Sequence, residues 1–432
     1  MPVGTAYPFQ VDVRRTSRRT LRGGAAIAVA MAVMNVTTYG FTILAARLLG
    51  PPEYGALAAL MGLLLVVNVL SLGLQATGAR RVSATPEDLP QIEHEVMATS
   101  YASACGLGAL MLLATPLVSA TLRLDSYGSA ALIAVTVVPL SVMGGQAGIL
   151  QGERRWGPLA GIYLAMGLGR LGFGAIGLAI DHTTVGAMTG VAAGAFLPVV
   201  VGWLALRHPD RQRAAHPART AAQPRWAPGG VLRETAHNSH ALLAFFALSN
   251  TDVIVARSTL PEHQAGLYAG GLILTKAVLF LPQFVVVVAF PSMSRQGSGR
   301  RMHLLGLALV AAIGVATVLA VTVLSSLAVV FIGGHEYSGL QHTLWAFAVL
   351  GTLLAMLQLM IYDVVARQHQ RMVFVVWVGM AVLLAAAPFL DTLRGLLATV
   401  TVIDALLLAG LLLASLRTAT RPEPLEAEAS LR

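Results

Sequence analysis

With 432 residues, 56% of them hydrophobic and only 11% charged, the chain carries less than half the charge of an ordinary soluble domain, about a quarter of whose residues are charged. This composition excludes a water-soluble enzyme and points to a polytopic membrane protein. The formal net charge of +9 suggests nucleic acid at first sight. The arginines, however, fall in short segments between apolar windows and not on a basic face interleaved with aromatics, so no nucleic-acid partner is expected.

Taken in order, a basic arm (1–23) carries Arg14, Arg15, Arg18, Arg19 and Arg22. Ser17 to Arg22 imitates a twin-arginine export signal. An apolar run of full span length follows, so the segment reads as the flank of an uncleaved first span. Windows long enough to cross a bilayer as helices lie at about 24–46, 55–79, 96–122, 127–150, 157–180 and 184–206, then at 236–256, 265–294, 303–332, 342–366, 371–390 and 395–416. The segment 207–235 divides the two sets. It holds Arg207, Arg211, Arg213, Arg219, Arg225 and Arg233 with Pro209, Pro217, Pro224 and Pro228, and reads as a basic linker between an N-terminal lobe (24–206) and a C-terminal lobe (236–416). A Pro- and Glu-containing tail (417–432) reads as disordered.

On the side opposite the linker the loops carry only Arg47, Arg123, Arg257 and Arg394, and Arg170 and Lys276 lie within spans; every other cation is on the linker side. Basic loops resist translocation, so both termini and the linker are expected in the cytoplasm, with the protein in the plasma membrane. The opposite loops are too short for an external catalytic domain. No HExxH, GxSxG or GxxxxGK[ST] pattern occurs either, so no enzyme activity is expected. Glu53 is the one acid where a membrane transferase would use one. The single cysteine, Cys105, sits in an apolar window and reads as a small buried residue. There is no metal-ligand spacing, and no cofactor is expected.

An internal repeat relates the halves. Arg47, Pro51 and Gly55 recur as Arg257, Pro261 and Gly266, at a constant offset for the first two and one residue more for the glycine. Each set reads as a cation at the carbonyl end of a helix, a proline-opened turn and a glycine in the returning helix. A weaker echo pairs Leu150-Gln151-Gly152-Glu153-Arg154-Arg155 with Val365-Ala366-Arg367-Gln368-His369-Gln370-Arg371. Two six-span halves in the same orientation imply a parallel repeat about an axis along the membrane normal.

At these residues the chain resembles the multidrug/oligosaccharidyl-lipid/polysaccharide (MOP) exporter superfamily, in its polysaccharide flippase branch. The matching pieces are the Ala46-Arg47-Leu48-Leu49-Gly50-Pro51-x-x-Tyr54-Gly55 turn, Ser249-Asn250-Thr251-Asp252-Val253, Gly266-Leu267-Tyr268-Ala269, and Phe290-Pro291-Ser292-Met293-Ser294-Arg295. The resemblance implies an all-α integral membrane fold of about twelve transmembrane helices in two six-helix pseudo-repeat lobes, MATE-like. It also implies alternating access that moves a lipid-linked oligosaccharide outward. Twelve spans depart from the fourteen of the lipid II flippase branch.

A lipid diphosphate saccharide needs cations and hydrogen-bonding groups at depth. Lys276, the only lysine, lies ~15 Å inside span eight at 1.5 Å per residue, and Arg170 sits among glycines deep in span five. Asn35, Thr38 and Thr42 make one polar stripe on span one, and Asn68, Ser71 and Gln75 another on span two; Gln283 shares a face with Lys276. These are the expected cavity residues, against the plainer reading of helix-to-helix hydrogen bonding. For Lys276 the plainer reading is a pair with Asp252 or Asp404. Those two acids are themselves the candidates for coupling to a proton or sodium ion, a further expected partner beside the lipid-linked saccharide and the membrane lipids. Asp363 reads as an ion pair with Arg367. The alternative function is a MATE-like multidrug or metabolite cation antiporter, which would place acids in the cavity.

Overall fold

The computed structural model describes the backbone of residues 13–207, 228–293, 299–366 and 370–418, with side chains for all of these except 13–22, 228–229, 237–238, 280–293, 299–304, 362–366, 370–372 and 415–418. Most of the basic arm, linker and tail, the side chains of Gln283 and Asp363, and Arg367 fall outside these limits. The described chain is helical and without strands. Its helices are α1 (Val13–Val67), α2 (Val69–Ala84), α3 (Leu89–Leu113), α4 (Thr115–Thr121), α5 (Tyr127–Gly152), α6 (Trp156–Ile180), α7 (Thr184–Gly194) and α8 (Phe196–Arg207). After the linker come α9 (Pro228–Thr259), α10 (Glu262–Met293), α11 (Gly299–Val323), α12 (Ser325–Ile332), α13 (Leu344–Ala366), α14 (Gln370–Ala386) and α15 (Leu393–Thr418).

Among the described residues nine helical stretches are long and apolar enough to cross a membrane. The first of them, Gly23–Ala84, is 62 residues long and makes two crossings, because α1 is broken at Gly50. Gly50 has φ +69° and ψ 173°, a backbone that only glycine adopts without strain, and Pro51 and Pro52 restart the helix with φ already set. With α10 and the shorter apolar stretch Val373–Phe389, the crossings number twelve. Crossings three, six and nine are each interrupted, at Ala114, Ala195 and Leu324. Pro116 and Pro198 lie in the first turns of α4 and α8, where they lack the N–H that would carry the hydrogen-bond ladder on from α3 and α7.

Packing follows the repeat. In the first half α1 packs on α6, α2 and α3 on α5, α6 on α7, and α5 on α7 and α8; in the second, α9 packs on α14, α10 and α11 on α13, α14 on α15, and α13 on α15. Each of these first-lobe contacts thus has its counterpart in the second. The interior of the bundle buries large side chains completely, Phe245, Tyr268, Tyr337 and Phe347 among them. Exposed apolar residues such as Leu113, Val315, Leu319 and Val323 line the flanks that face lipid, where helices satisfy their own backbone groups. Cys105 is among the exposed residues of α3, not buried as its apolar window suggests: an apolar window locates a span but not which side of it faces lipid.

The lobes meet through α1 with α9 and α10, and through α2 with α9. At the end that carries Gly50, the turn end, the two copies of the repeated turn press on each other. A Cβ on Gly55 would lie 3.0 Å from the Cα of Gly266, and one on Gly266 would collide with the carbonyl of Pro51. Arg257, 3% exposed, donates to the carbonyls of Leu122 at 2.9 Å and Arg123 at 3.0 Å, and pairs with Glu262 at 3.2 Å. Arg123 returns the contact by donating to the carbonyls of Arg257 and Leu260. Tyr337, from the loop before α13, donates to the carbonyl of Ala46 at 3.2 Å and stands edge-on to Tyr54. At the linker end Arg81 of α2 reaches Glu234 of α9 at 3.0 Å and Glu95 of α3 at 3.4 Å, Arg80 also pairs with Glu234, and the hydroxyls of Thr77 and Thr235 meet at 3.2 Å.

Candidate functional site

Between the lobes lies a cavity of about 150 Å3. Its wall comes from both halves of α1, from α6, α9 and α10. On the first half of α1 the stripe Asn35, Thr38 and Thr42 faces it, joined by Tyr39. Asn35 has no hydrogen-bond partner among the described residues, so its amide is free to meet a ligand; Thr42 donates to the carbonyl of Thr38 at 3.1 Å. Tyr39 donates across the lobe boundary to the carbonyl of Ile273 at 3.0 Å and so fixes the wall of one lobe to the other.

Arg170 enters from α6. The glycines around it let α6 sit close to its neighbours: a Cβ on Gly167 would lie 2.7 Å from the Cα of Met34 on α1, and one on Gly169 would lie 2.7 Å from the carbonyl oxygen of Gly194 on α7. Squeezed between α1 and α7, α6 presents Arg170 to the cavity. Its guanidinium makes no hydrogen bond or ion pair with any described residue, so it is not consumed by the carbonyls around those glycines. Lys276 enters from α10 and donates to Oδ1 of Asn250 at 2.7 Å; Asn250 is oriented by its own amide, which donates to the carbonyl of Phe246 at 2.8 Å. Lys276 forms no direct ion pair with Asp252 or Asp404, and Asn250 is the partner that sequence reasoning missed. It stood in view as the second residue of Ser249-Asn250-Thr251-Asp252.

Among the described residues no aspartate or glutamate lines this cavity, and the charged ones that do are Arg170 and Lys276, one from each lobe. Asp252 and Asp404 lie behind it, in the interior of the C-terminal lobe, 2% and 1% exposed. Tyr268 donates to Oδ2 of Asp252 at 3.1 Å, and Asp404 is near enough to interact electrostatically with both. Both carboxyl oxygens of Asp404 lack a hydrogen-bond partner among the described residues. Asp252 in turn interacts electrostatically with Lys276, so the cavity cation and the buried acids form one connected group.

The stripe on span two faces elsewhere. Ser71 donates to the carbonyl of Leu140 at 2.6 Å, and Gln75 donates to Gln151 at 2.9 Å and to the hydroxyl of Tyr163 at 2.8 Å, so both hold α2 to neighbouring helices of its own lobe. Asn68 marks the break between α1 and α2, and its Oδ1 is buried without a partner among the described residues. Glu53 is likewise occupied: it accepts from the backbone N–H of Thr184 at 2.8 Å and from its hydroxyl at 2.5 Å, closing the start of α7. Arg47 donates to the carbonyl of Val330 at 2.7 Å, and Pro261 accepts from the N–H of Ala265 at 2.9 Å. Among the described residues no group of His, Cys, Asp and Glu has the arrangement to hold a metal ion.

The family model described as "Polysaccharide biosynthesis protein" matches residues 20–296, more than half of the chain. The chain belongs to this family of the MOP superfamily. The chain is similar in fold to solved MATE transporters. One is described as the inward-facing conformation of a multidrug resistance MATE family transporter of the MOP superfamily, at 13% identity and TM-score 0.67, over 91% of this chain and 98% of that one. Another is a MATE in the bent conformation, at 14% identity and TM-score 0.60, over 93% and 95%. A third is described as the outward-facing conformation of a multidrug resistance MATE family transporter, at 15% identity and TM-score 0.58, over 94% and 96%. No curated protein matches the chain. The family and the fold are those of membrane transporters and flippases.

Proposed function

We propose that the protein carries a lipid-linked (polyprenyl-diphosphate) oligosaccharide from the inner to the outer leaflet of the plasma membrane by alternating access, for assembly of a surface polysaccharide. The observation that carries the reading is the pair of cations on the cavity wall, Arg170 from one lobe and Lys276 from the other, with no carboxylate among the described residues beside them. A diphosphate between the lobes would meet a planar guanidinium fork on one side and an ammonium on the other, in a medium that strengthens both. Asn35 and Thr38 supply hydrogen-bonding groups for sugar hydroxyls. A cation antiporter, the alternative, calls for acids on the wall. Here the acids stand behind it, at Asp252 and Asp404.

Those two acids are the proposed seat of coupling to a proton or sodium ion. Through Lys276 a change of charge at Asp252 is felt at the cavity. In this reading both termini and the linker are cytoplasmic, as the placement of cations favours, and the turn end is external. The protein transfers no chemical group and acts as a carrier, not an enzyme. The test is mass spectrometry of polyprenyl-diphosphate saccharides in cells lacking the gene, complemented with wild type or Lys276→Ala. Accumulation that only wild type clears supports the reading. No accumulation, together with altered susceptibility to cationic compounds, overturns it in favour of the antiporter. For coupling, Asp252→Asn and Asp404→Asn are compared under imposed proton and sodium gradients, and an unchanged gradient dependence removes the acids from that role.

A further inference from the structure

The cations of the turn end differ in what they touch. Arg47, Arg123 and Arg257 each donate to backbone carbonyls of the protein. Arg394, in the first turn of α15, is exposed and makes no hydrogen bond or ion pair with any described residue. It stands on the wall of a second cavity, a groove between the beginnings of α13 and α15, together with His342, which is also exposed and without a partner among the described residues.

The groove is graded along the helix axes. Arg394 and His342 mark its end at the membrane surface. Trp345, Val349, Leu397 and Val402 line it further in, and Trp345 and Val402 are 51% and 56% exposed although both are large and apolar. The threonines of the wall are already satisfied, Thr343 donating to the carbonyl of Leu340 and Thr401 to that of Leu397. From Arg394 to Val402 the wall runs ~12 Å at 1.5 Å per residue, close to the ~15 Å hydrocarbon depth of one leaflet. An arginine and a histidine at the surface, a tryptophan just below them and an apolar trough beneath are complementary to a molecule with an anionic head and a hydrocarbon chain.

We propose that this groove is a binding site for one anionic phospholipid of the leaflet at the turn end, its phosphate on Arg394 and His342 and one acyl chain against Trp345, Leu397 and Val402. The occupant is a resident phospholipid and not the transported carrier, because among the described residues the groove shares none of its lining with the central cavity. The site is independent of which saccharide, if any, the protein moves.

The test is native mass spectrometry of the purified full-length protein in detergent, titrated with phosphatidylglycerol or phosphatidylcholine of the same acyl chains. One phosphatidylglycerol is expected to bind about tenfold more tightly than phosphatidylcholine, as charge-assisted phosphate contacts imply. Arg394→Ala is expected to erase that difference, and Ala398→Trp, which fills the exposed trough but keeps Arg394 and His342, to abolish tight binding of either lipid. Equal retention of phosphatidylglycerol by wild type and Arg394→Ala overturns the proposal. So does displacement of the bound phospholipid by equimolar polyprenyl phosphate, which would make the groove a carrier site.

Discussion

The contact between the two repeated turns makes a prediction about which end of the protein opens. In Gly266→Ala the new methyl carbon would lie 2.7 Å from the Cα of Pro51 and collide with that residue's carbonyl. Ordinary contact between carbons is about 3.5–4.0 Å and the carbonyl stands closer still, so the turns must separate by more than roughly 1 Å, and the obstructing atoms are backbone, which cannot rotate away. Overpacking of this kind costs about 1–3 kcal/mol. The strain exists only while the turn end is closed, so it shifts the balance toward the open state by about 5- to 150-fold. In a Cys105→Ser background, Thr42→Cys places a thiol on the cavity wall, and an impermeant maleimide added from the turn side reads its accessibility. The labelling rate is expected to rise by that factor in Gly266→Ala. Gly106→Ala is the control, since nothing lies within 4 Å of a Cβ there. A folded Gly266→Ala protein that labels at the parental rate would refute the reasoning.

Other expectations concern the cavity and the surrounding frame. Arg170→Ala and Lys276→Ala should each abolish most clearance of a lipid-linked saccharide. Arg170→Lys should restore only part of it, because an ammonium cannot reproduce the planar fork; full activity of Arg170→Ala in cells would contradict a diphosphate contact. Glu234→Gln removes one of the carboxylates around the buried guanidinium of Arg81 and should lower the thermal midpoint in detergent, at a cost of about 1.5–3 kcal/mol. An unaltered midpoint would mean that the inter-lobe pair is idle. Glu53→Ala should lose about 1 kcal/mol of helix-start stabilisation at α7 while saccharide clearance persists. Lost clearance at normal stability would show that Glu53 does more than cap.

The twelve crossings were legible because apolar windows of span length are the strongest signal a sequence carries, and the repeated Arg-Pro-Gly turns tied the halves together. Local chemistry also explains Gly50, Pro116 and Pro198. Nothing in the sequence marks the break at Leu324. Periodicity told which polar residues share a face but not which neighbour that face meets. Thus Asn35, Thr38 and Thr42 look into the cavity, whereas Ser71 and Gln75, on an equally regular stripe, are taken up by Leu140, Gln151 and Tyr163. The same limit applies to Lys276, whose partner, Asn250, sits 26 positions away on another helix and was chosen by packing. Tyr39 was also missed, although its place beside the Asn35–Thr38 stripe was a usable sign.

Tyr337 closes the turn end from a loop, not from a helix of the bundle. Its ring fills the space that side chains on Gly270 and Gly333 would need, and its hydroxyl holds the last turn of the first crossing. In the proposed orientation the loop that carries this clasp, with His335, Glu336, Ser338 and Gly339 exposed, is reachable from outside the cell. A ligand or antibody fragment that pins the 333–343 loop against Ala46 would therefore arrest the cycle without crossing the membrane, and without having to compete with the substrate in the cavity.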